Sequence, residues 1–87
     1  MFKTNDTNIN AEPDEQAYSN FGLIAALVTC GFDVRRTSKD GARIVFIFTD
    51  SKALEDTVND YWSGKLLVSA RQYSEATKTL KSRIYGG

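Results

Sequence analysis

An Asp40-Gly41 dipeptide stands just before a run of β-branched and aromatic residues at 44–48. Asp-Gly in front of such a run is the strongest short-range signal for a β-hairpin. The residues after the run, Thr49, Asp50 and Ser51, carry short polar side chains that suit the start of a helix. The sequence therefore predicts one strand with both of its ends, and the other elements can be placed around it.

If Asp40-Gly41 is a two-residue turn, Val34 lies opposite Ile47 and Arg36 lies opposite Val45. Side chains alternate between the two faces of a strand, so this register divides the hairpin into two faces. The predicted core face carries Phe32, Val34, Val45 and Ile47. The other face carries Asp33, Arg35, Thr37, Ile44, Phe46 and Phe48. A loop of three or four residues would shift this division.

Three helices are predicted around the hairpin. The first begins near Ser19 or Asn20, runs through Cys30 and ends at Gly31; it is apolar almost all round, which is typical of a buried helix. The second begins at Asp50 or Ser51 and ends at Gly64, with an apolar stripe of Leu54, Val58, Tyr61 and Trp62. The third follows a capping-box pattern at Ser69 and Gln72, with Tyr73, Thr77, Leu80 and Ile84 at helical spacing. Residues 66–68 form either a third strand or a buried connector.

The predicted fold class is therefore α+β, a helix–hairpin–helix–helix domain over residues 18–87. Residues 1–17 are polar and aperiodic, and we expect a flexible arm with a short extended piece at residues 2–4. A two-stranded sheet is marginal alone. Either the helices cover it, or its edges pair with a second copy to give a homodimer.

The composition limits the catalytic and metal-binding chemistry that the chain can support. The chain of 87 residues contains no histidine, which removes the commonest general base and the Ser-His and Cys-His nucleophile pairs. We expect the single cysteine, Cys30, to be a small buried side chain rather than a reactive thiol. Asp56 and Asp60 share a helix face, but two carboxylates alone bind a cation weakly. We therefore expect no enzyme, no catalytic residues, no metal and no cofactor.

The sequence also bears on the cellular location of the protein. The longest apolar run, residues 23–28, is too short to span a bilayer, and no apolar segment follows Lys3 to make a secretory signal. A single cysteine allows no disulfide within the chain. We expect a cytoplasmic protein with no membrane contact.

Two surfaces are candidates for binding a partner. Arg35, Arg43, Phe46 and Phe48 interleave arginine with aromatic rings, an arrangement on which single-stranded nucleic acid stacks. The favoured alternative is that a helix or second subunit covers these rings. Basic side chains also recur along the third helix, at Arg71, Lys78, Lys81 and Arg83. The favoured alternative there is an ordinary solvated helix face. Because the formal net charge is zero, protein is favoured over nucleic acid as the partner.

Several segments together resemble a known family: residues 18–27, Gly31-Phe32, residues 44–50, residues 61–64 and residues 80–85. It is a family of short uncharacterised proteins, described as a domain of unknown function, from bacteria, archaea and their phages or mobile elements. The resemblance implies a small accessory protein and assigns no functional residues. We expect a binding module that contacts proteins, as an inhibitor or adaptor of a host enzyme; the alternative is a nucleic-acid-binding accessory protein.

Overall fold

A computed structural model describes residues 11–85, which form three helices and a three-stranded antiparallel sheet. In chain order the elements are β1 (Glu15–Tyr18), α1 (Phe21–Thr29), β2 (Val34–Asp40), β3 (Arg43–Thr49), α2 (Lys52–Ser63) and α3 (Ala70–Tyr85). The predicted α+β class and the helix–hairpin–helix–helix order are confirmed. Residues 2–4, where an extended piece was predicted, lie outside the described residues.

The sheet contains a strand, β1, that was not predicted. β1 pairs antiparallel with β3, from Glu15 opposite Thr49 to Tyr18 opposite Phe46, so that the strand order is β1-β3-β2. Residues 15–17, which were assigned to the arm, are therefore strand residues. Four residues with a single aromatic give too little alternation to predict a strand. Their pairing places β3 in the centre of the sheet.

The hairpin turn lies one residue further along the chain than predicted. Asp40 pairs with Arg43, so Gly41 and Ala42 form the two-residue loop. Gly41 has a φ of +67°, and both turn types that suit a two-residue hairpin require positive φ at that first loop position. A further irregularity between Val34 and Arg36 brings Val34 opposite Phe48.

This irregularity overturns the predicted core face. An extra residue in one strand moves every side chain beyond it to the other side of the sheet. Val34 therefore lies on the same face as Phe46 and Phe48, and this is the face that packs against the helices. The grouping of Val34 with Val45 and Ile47 was wrong. Val45 and Ile47 are buried too, but they point to the opposite face.

Helix α1 occupies the centre of the core, as predicted. Asn20 Oδ1 accepts the Leu23 N–H at 2.9 Å, and the chain leaves the helix at Gly31, whose φ is +100°. Phe32 N–H donates to the carbonyl of Leu27 at 3.1 Å, which completes a Schellman cap. The helix contacts both α2 and α3. The buried cluster consists of Leu23, Ile24, Ala25, Leu27, Phe46, Phe48, Leu54 and Leu80.

The predicted ends of the other two helices are also found. Ser51 Oγ accepts the Leu54 N–H at 3.0 Å, Gly64 closes α2 with a φ of +80°, and Ser69 Oγ accepts the Gln72 N–H at 3.2 Å. Residues 66–68 are not a strand. They are not a buried connector either, because the side chain of Leu67 is almost fully exposed.

Trp62 was predicted to lie on the buried stripe of α2, and it does not. The residue is 61% exposed, whereas Leu54 on the same helix is fully buried. Successive residues turn by about 100° around a helix axis. Trp62 lies at the edge of the stripe defined by Leu54, Val58 and Tyr61, and no other element within residues 11–85 buries it.

Candidate functional site

The aromatic rings of the hairpin are not available to a partner. Phe46 is 2% exposed and Phe48 is 1% exposed, and both pack in the helix-covered core. Of the two alternatives considered for these rings, the covered one holds. The two arginines predicted beside them lie apart. Arg35 contacts acids at the start of β1, whereas Arg43 stands at the hairpin turn.

The basic side chains of α3 do not form one patch. At about 100° per residue, Arg71 and Lys78 point away from the buried positions of the helix. Lys81 and Arg83 lie on opposite flanks of the buried residue Leu80. Arg71 Nε also lies 3.8 Å from the carboxylate of Glu75. The four predicted residues therefore point in at least three directions around the helix.

Three of the predicted residues, Arg43, Phe46 and Lys81, meet at a single groove. The groove lies between the start of α1, the hairpin turn and the end of α3, and has a volume of about 390 Å³. We call it the basic groove. It is lined by Ser19, Phe21, Ile24, Ala42, Arg43, Ile44, Phe46, Lys81, Ile84 and Tyr85.

The lining of the basic groove combines an apolar floor with a cationic rim. Isoleucine side chains from α1, β3 and α3 contribute to the floor, and the described part of the chain places no carboxylate in the groove. Arg43 and Lys81 form no ion pair with any residue in the range 11–85. Arg43 Nη1 donates to Ser19 Oγ at 3.3 Å, which holds the guanidinium at the rim. Tyr85, at the end of α3, is 83% exposed.

Sequence reasoning named Arg43, Phe46 and Lys81 but assigned Lys81 to a different surface from the other two. It missed the part that Phe21 and Ala42 play in the same groove. The three segments that meet here, residues 19–24, 42–46 and 81–85, are far apart along the chain. No local pattern indicates that they converge, because the convergence depends on how α3 packs against α1.

A second group of charges surrounds Glu15 on the other face of the sheet. Its carboxylate accepts a hydrogen bond from Arg36 Nη1 at 2.7 Å and lies 3.1 Å from Arg35 Nη1. The backbone N–H of Glu12 donates to the other oxygen at 2.9 Å. The hydrogen bond from Arg36, reinforced by that from Glu12, lowers the pKa of Glu15 to about 2. A carboxylate held ionised in this way is not a general acid at neutral pH.

The family match begins at the first strand of the fold. The sequence matches a family over residues 15–86, which starts at the first residue of β1. The chain belongs to the family described as Domain of unknown function (DUF5659). This confirms the predicted resemblance to an uncharacterised domain family. No curated protein and no solved structure matches the chain.

The DUF5659 domain has a further, polar cleft between β1 and the start of α2. It has a volume of about 440 Å³ and is lined by Gln16, Tyr18, Asp50, Ser51, Lys52, Glu55, Val58 and Asn59. Burial raises the pKa of Tyr18, and the charges of Asp50 and Glu55 add to that rise. Within residues 11–85, no three metal-ligating side chains come together.

Two acids considered as cation ligands lie outside this cleft of the DUF5659 domain. Lys52 Nζ donates to Asp56 Oδ1 at 3.0 Å, an exposed pair on one helix face. This hydrogen bond raises the pKa of Lys52. Asp60 is exposed near the end of α2, where its carbonyl accepts the backbone N–H of Lys65. Asp56 therefore already has a cationic partner within its own helix.

Cys30 of the DUF5659 domain is exposed, so the prediction of a buried cysteine was wrong. The residue is the C-cap of α1 rather than an interior residue of the helix. Partial burial of the Cys30 thiol raises its pKa. A raised pKa leaves less thiolate at neutral pH and disfavours a nucleophilic role.

Among residues 11–85, no helix is both long and apolar enough to cross a membrane.

Proposed function

We propose that this DUF5659 domain is a non-catalytic binding protein that acts through contacts with another protein. The observation that carries the proposal is the exposure of large apolar side chains: Trp62 at 61%, Leu67 at 92% and Tyr85 at 83%. Single exposed apolar residues are ordinary, but large aromatic side chains are enriched at the anchors of protein interfaces. Two exposed aromatic side chains and an almost fully exposed leucine on a small domain favour contact with a partner that covers them.

Other features support contact through side chains rather than through the edge of the sheet. β2 is an edge strand, and it carries Arg35, Arg36 and Lys39 as well as the irregularity beside Val34. Charged residues and bulges are the devices that discourage an edge from pairing with another strand. The proposed partner therefore meets the helical side of the domain rather than the edge of β2.

The wider setting is part of the same proposal. The domain serves as a small accessory protein in the cytoplasm of a prokaryote, or of a cell that its phage or mobile element occupies. There it is an inhibitor or adaptor of a host enzyme, or it associates with a second copy. The lack of histidine supports a binding role, because the commonest catalytic side chain is missing from the whole chain.

The proposal is tested by substitution in the connector. Leu67→Asp places a charge where the proposed interface is apolar, and Glu75→Gln is the control, because Glu75 is also exposed but lies on α3. Tagged wild-type protein and both variants are used to retrieve partners, and sedimentation measures self-association. We expect Leu67→Asp to lose a partner or a dimer that Glu75→Gln retains. A wild-type chain that stays monomeric and retrieves nothing refutes the proposal.

Nucleic-acid binding is the second candidate, and one observation favours it. Lys78 and Lys81 are exposed on α3 without an ion-pair partner in residues 11–85, and Arg43 stands beside Lys81 at the basic groove. Binding would then weaken steeply as salt rises. Fluorescence anisotropy with single- and double-stranded oligonucleotides measures this, and an unchanged signal at low salt and high protein concentration excludes it. The zero net charge makes this the weaker candidate.

A further inference from the structure

We infer that the basic groove binds an acidic peptide segment that carries a large apolar side chain. The inference rests on the proposed function, because it names the chemistry of a protein partner and one place where that partner docks. The groove combines an apolar surface with positive charge in one site. Its floor offers apolar area, and its rim offers two cations from different elements, Arg43 at the turn and Lys81 on α3.

The floor accounts for the apolar part of the ligand. Ile24, Ile44 and Ile84 line the groove, and the rings of Phe21 and Tyr85 belong to its walls. Burying an apolar side chain against such a surface contributes about 25 cal/mol per Å² of area removed from water. A volume of about 390 Å³ is at the lower end of the range of ligand pockets. It is therefore suited to one or two side chains rather than to a folded domain.

The rim accounts for the acidic part. Arg43 donates a hydrogen bond to Ser19, and a guanidinium has five N–H donors. Its remaining donors can hold a carboxylate in the bidentate geometry that arginine favours. Lys81 supplies a second positive charge, and no acidic side chain among residues 11–85 lines the groove to neutralise either one. An acidic segment is the complementary partner.

Two other occupants fit less well. A nucleic acid needs planar platforms for its bases, but the floor of the groove is largely aliphatic. A second copy of the chain has a formal net charge of zero, so it complements two cations less well than a segment with an excess of acids does. A foreign acidic segment is therefore the occupant that the charges favour.

The test uses the full chain and three labelled peptides. The first peptide alternates glutamate with leucine, the second replaces each glutamate by lysine, and the third replaces each leucine by serine. Fluorescence anisotropy measures the affinity of each. We expect the first peptide to bind about tenfold more tightly than either of the others.

Variants then locate the site. We expect Arg43→Gln and Lys81→Gln each to weaken binding of the glutamate–leucine peptide by about five- to tenfold. Lys78→Gln is the matched control, because it removes a cation from the same helix outside the groove. All three positions are exposed, so the fold should persist, and circular dichroism checks this. In the NMR spectrum, the peptide should shift the amide signals of Ala42 and Ile84 first.

Several results would overturn the inference. Equal affinity for the three peptides, or affinity that Arg43→Gln and Lys81→Gln leave unchanged, excludes an acidic-peptide site. Tighter binding of an oligonucleotide that depends on the same two residues assigns the groove to nucleic acid. A dimer that Arg43→Gln dissociates assigns it to a second copy. These outcomes are independent of the Leu67→Asp result, because Leu67 does not line the groove.

Discussion

The carboxylate of Glu15 on β1 and the guanidinium of Arg36 on β2 are joined by a 2.7 Å hydrogen bond that crosses the central strand. The register places Glu15 opposite Thr49 and Arg36 opposite Ile47 on β3. The pair therefore links the two edges of the sheet above a fully buried isoleucine. It is the main charged contact on the face that the helices do not cover.

The first prediction concerns this pair. The Glu15→Gln substitution removes the negative charge, and the melting temperature should fall at pH 7. The folded chain holds the pKa of Glu15 at about 2, below its ordinary 4.5, through the hydrogen bonds from Arg36 and Glu12. The stabilisation is therefore complete above pH 4.5 and is lost as the pH falls from there towards 2. Thermal melts of both proteins should differ at pH 7 and converge near pH 2.

The neighbouring acid provides the control. Asp14 is exposed and lies 3.7 Å from Arg35, a distance at which a surface pair contributes little. The Asp14→Asn substitution should therefore change the free energy of unfolding by less than about 0.5 kcal/mol. A constant difference between wild type and Glu15→Gln from pH 7 to pH 2 would contradict the assignment of this titration to Glu15.

The second prediction concerns a glycine in α1. Replacing a glycine inside a helix by alanine ordinarily stabilises it by about 0.5–1 kcal/mol. At Gly22, however, a Cβ would stand 2.7 Å from the hydroxyl of Tyr61 and 3.4 Å from that of Tyr73. Gly22→Ala should therefore destabilise the domain. The Tyr61→Phe substitution removes the hydroxyl nearest to this Cβ. In that background, Gly22→Ala should therefore destabilise the domain less, or stabilise it. Chemical denaturation of the four proteins gives the coupling energy, expected at about 0.5–3 kcal/mol; additive effects would contradict the close approach.

The third prediction separates buried from exposed residues of α2. Leu54 is fully buried in the core cluster, so Leu54→Ala should lower the free energy of unfolding by about 2–5 kcal/mol. Trp62 lies at the edge of the stripe and is mostly exposed, so Trp62→Ala should cost less than about 1 kcal/mol. Urea titrations measure both values. A cost for Trp62→Ala as large as that for Leu54→Ala would mean that the indole is part of the core.

The fourth prediction concerns the end of α2. Gly64 has a φ of +80°, and a Cβ added there would meet no other atom within 4 Å. Only the left-handed backbone conformation therefore disfavours a side chain at this position. Gly64→Ala should cost about 1–2 kcal/mol. Gly64→Asn should cost less, because asparagine adopts the left-handed conformation more readily than alanine does. Equal stability of the two variants would contradict a cap that depends on this conformation.

The local parts of the fold could be predicted from the sequence, and the long-range parts could not. Asn20, Ser51 and Ser69 mark helix starts, and Gly31 and Gly64 mark helix ends, because each acts on backbone groups within a few residues. These signals gave the correct helices and the α+β class.

The faces of the sheet depend on features that leave no local signal. The turn could be centred on Asp40-Gly41 or on Gly41-Ala42, since a glycine with positive φ fits either position. The extra residue near Val34 has no sequence marker, yet it reverses which side of β2 meets the helices. β1 is detectable only through its partner on β3. The basic groove shares this origin, because it forms where Arg43 and Lys81 are brought together by packing.

The last prediction concerns the thiol of Cys30. The residue is exposed, so a thiol reagent should reach it in the folded chain. Burial raises the pKa of the thiol above its ordinary 9.0, so the thiolate fraction at pH 8 is smaller than in a free cysteine. Labelling by iodoacetamide at pH 8 should therefore be complete but slower than in the urea-unfolded chain, and the two rates should approach each other as the pH rises past the raised pKa. A folded chain that reacts faster than the unfolded chain at pH 8 would indicate an activated thiol. A folded chain that does not react at any pH would mean that α1 continues past Thr29 and buries the side chain.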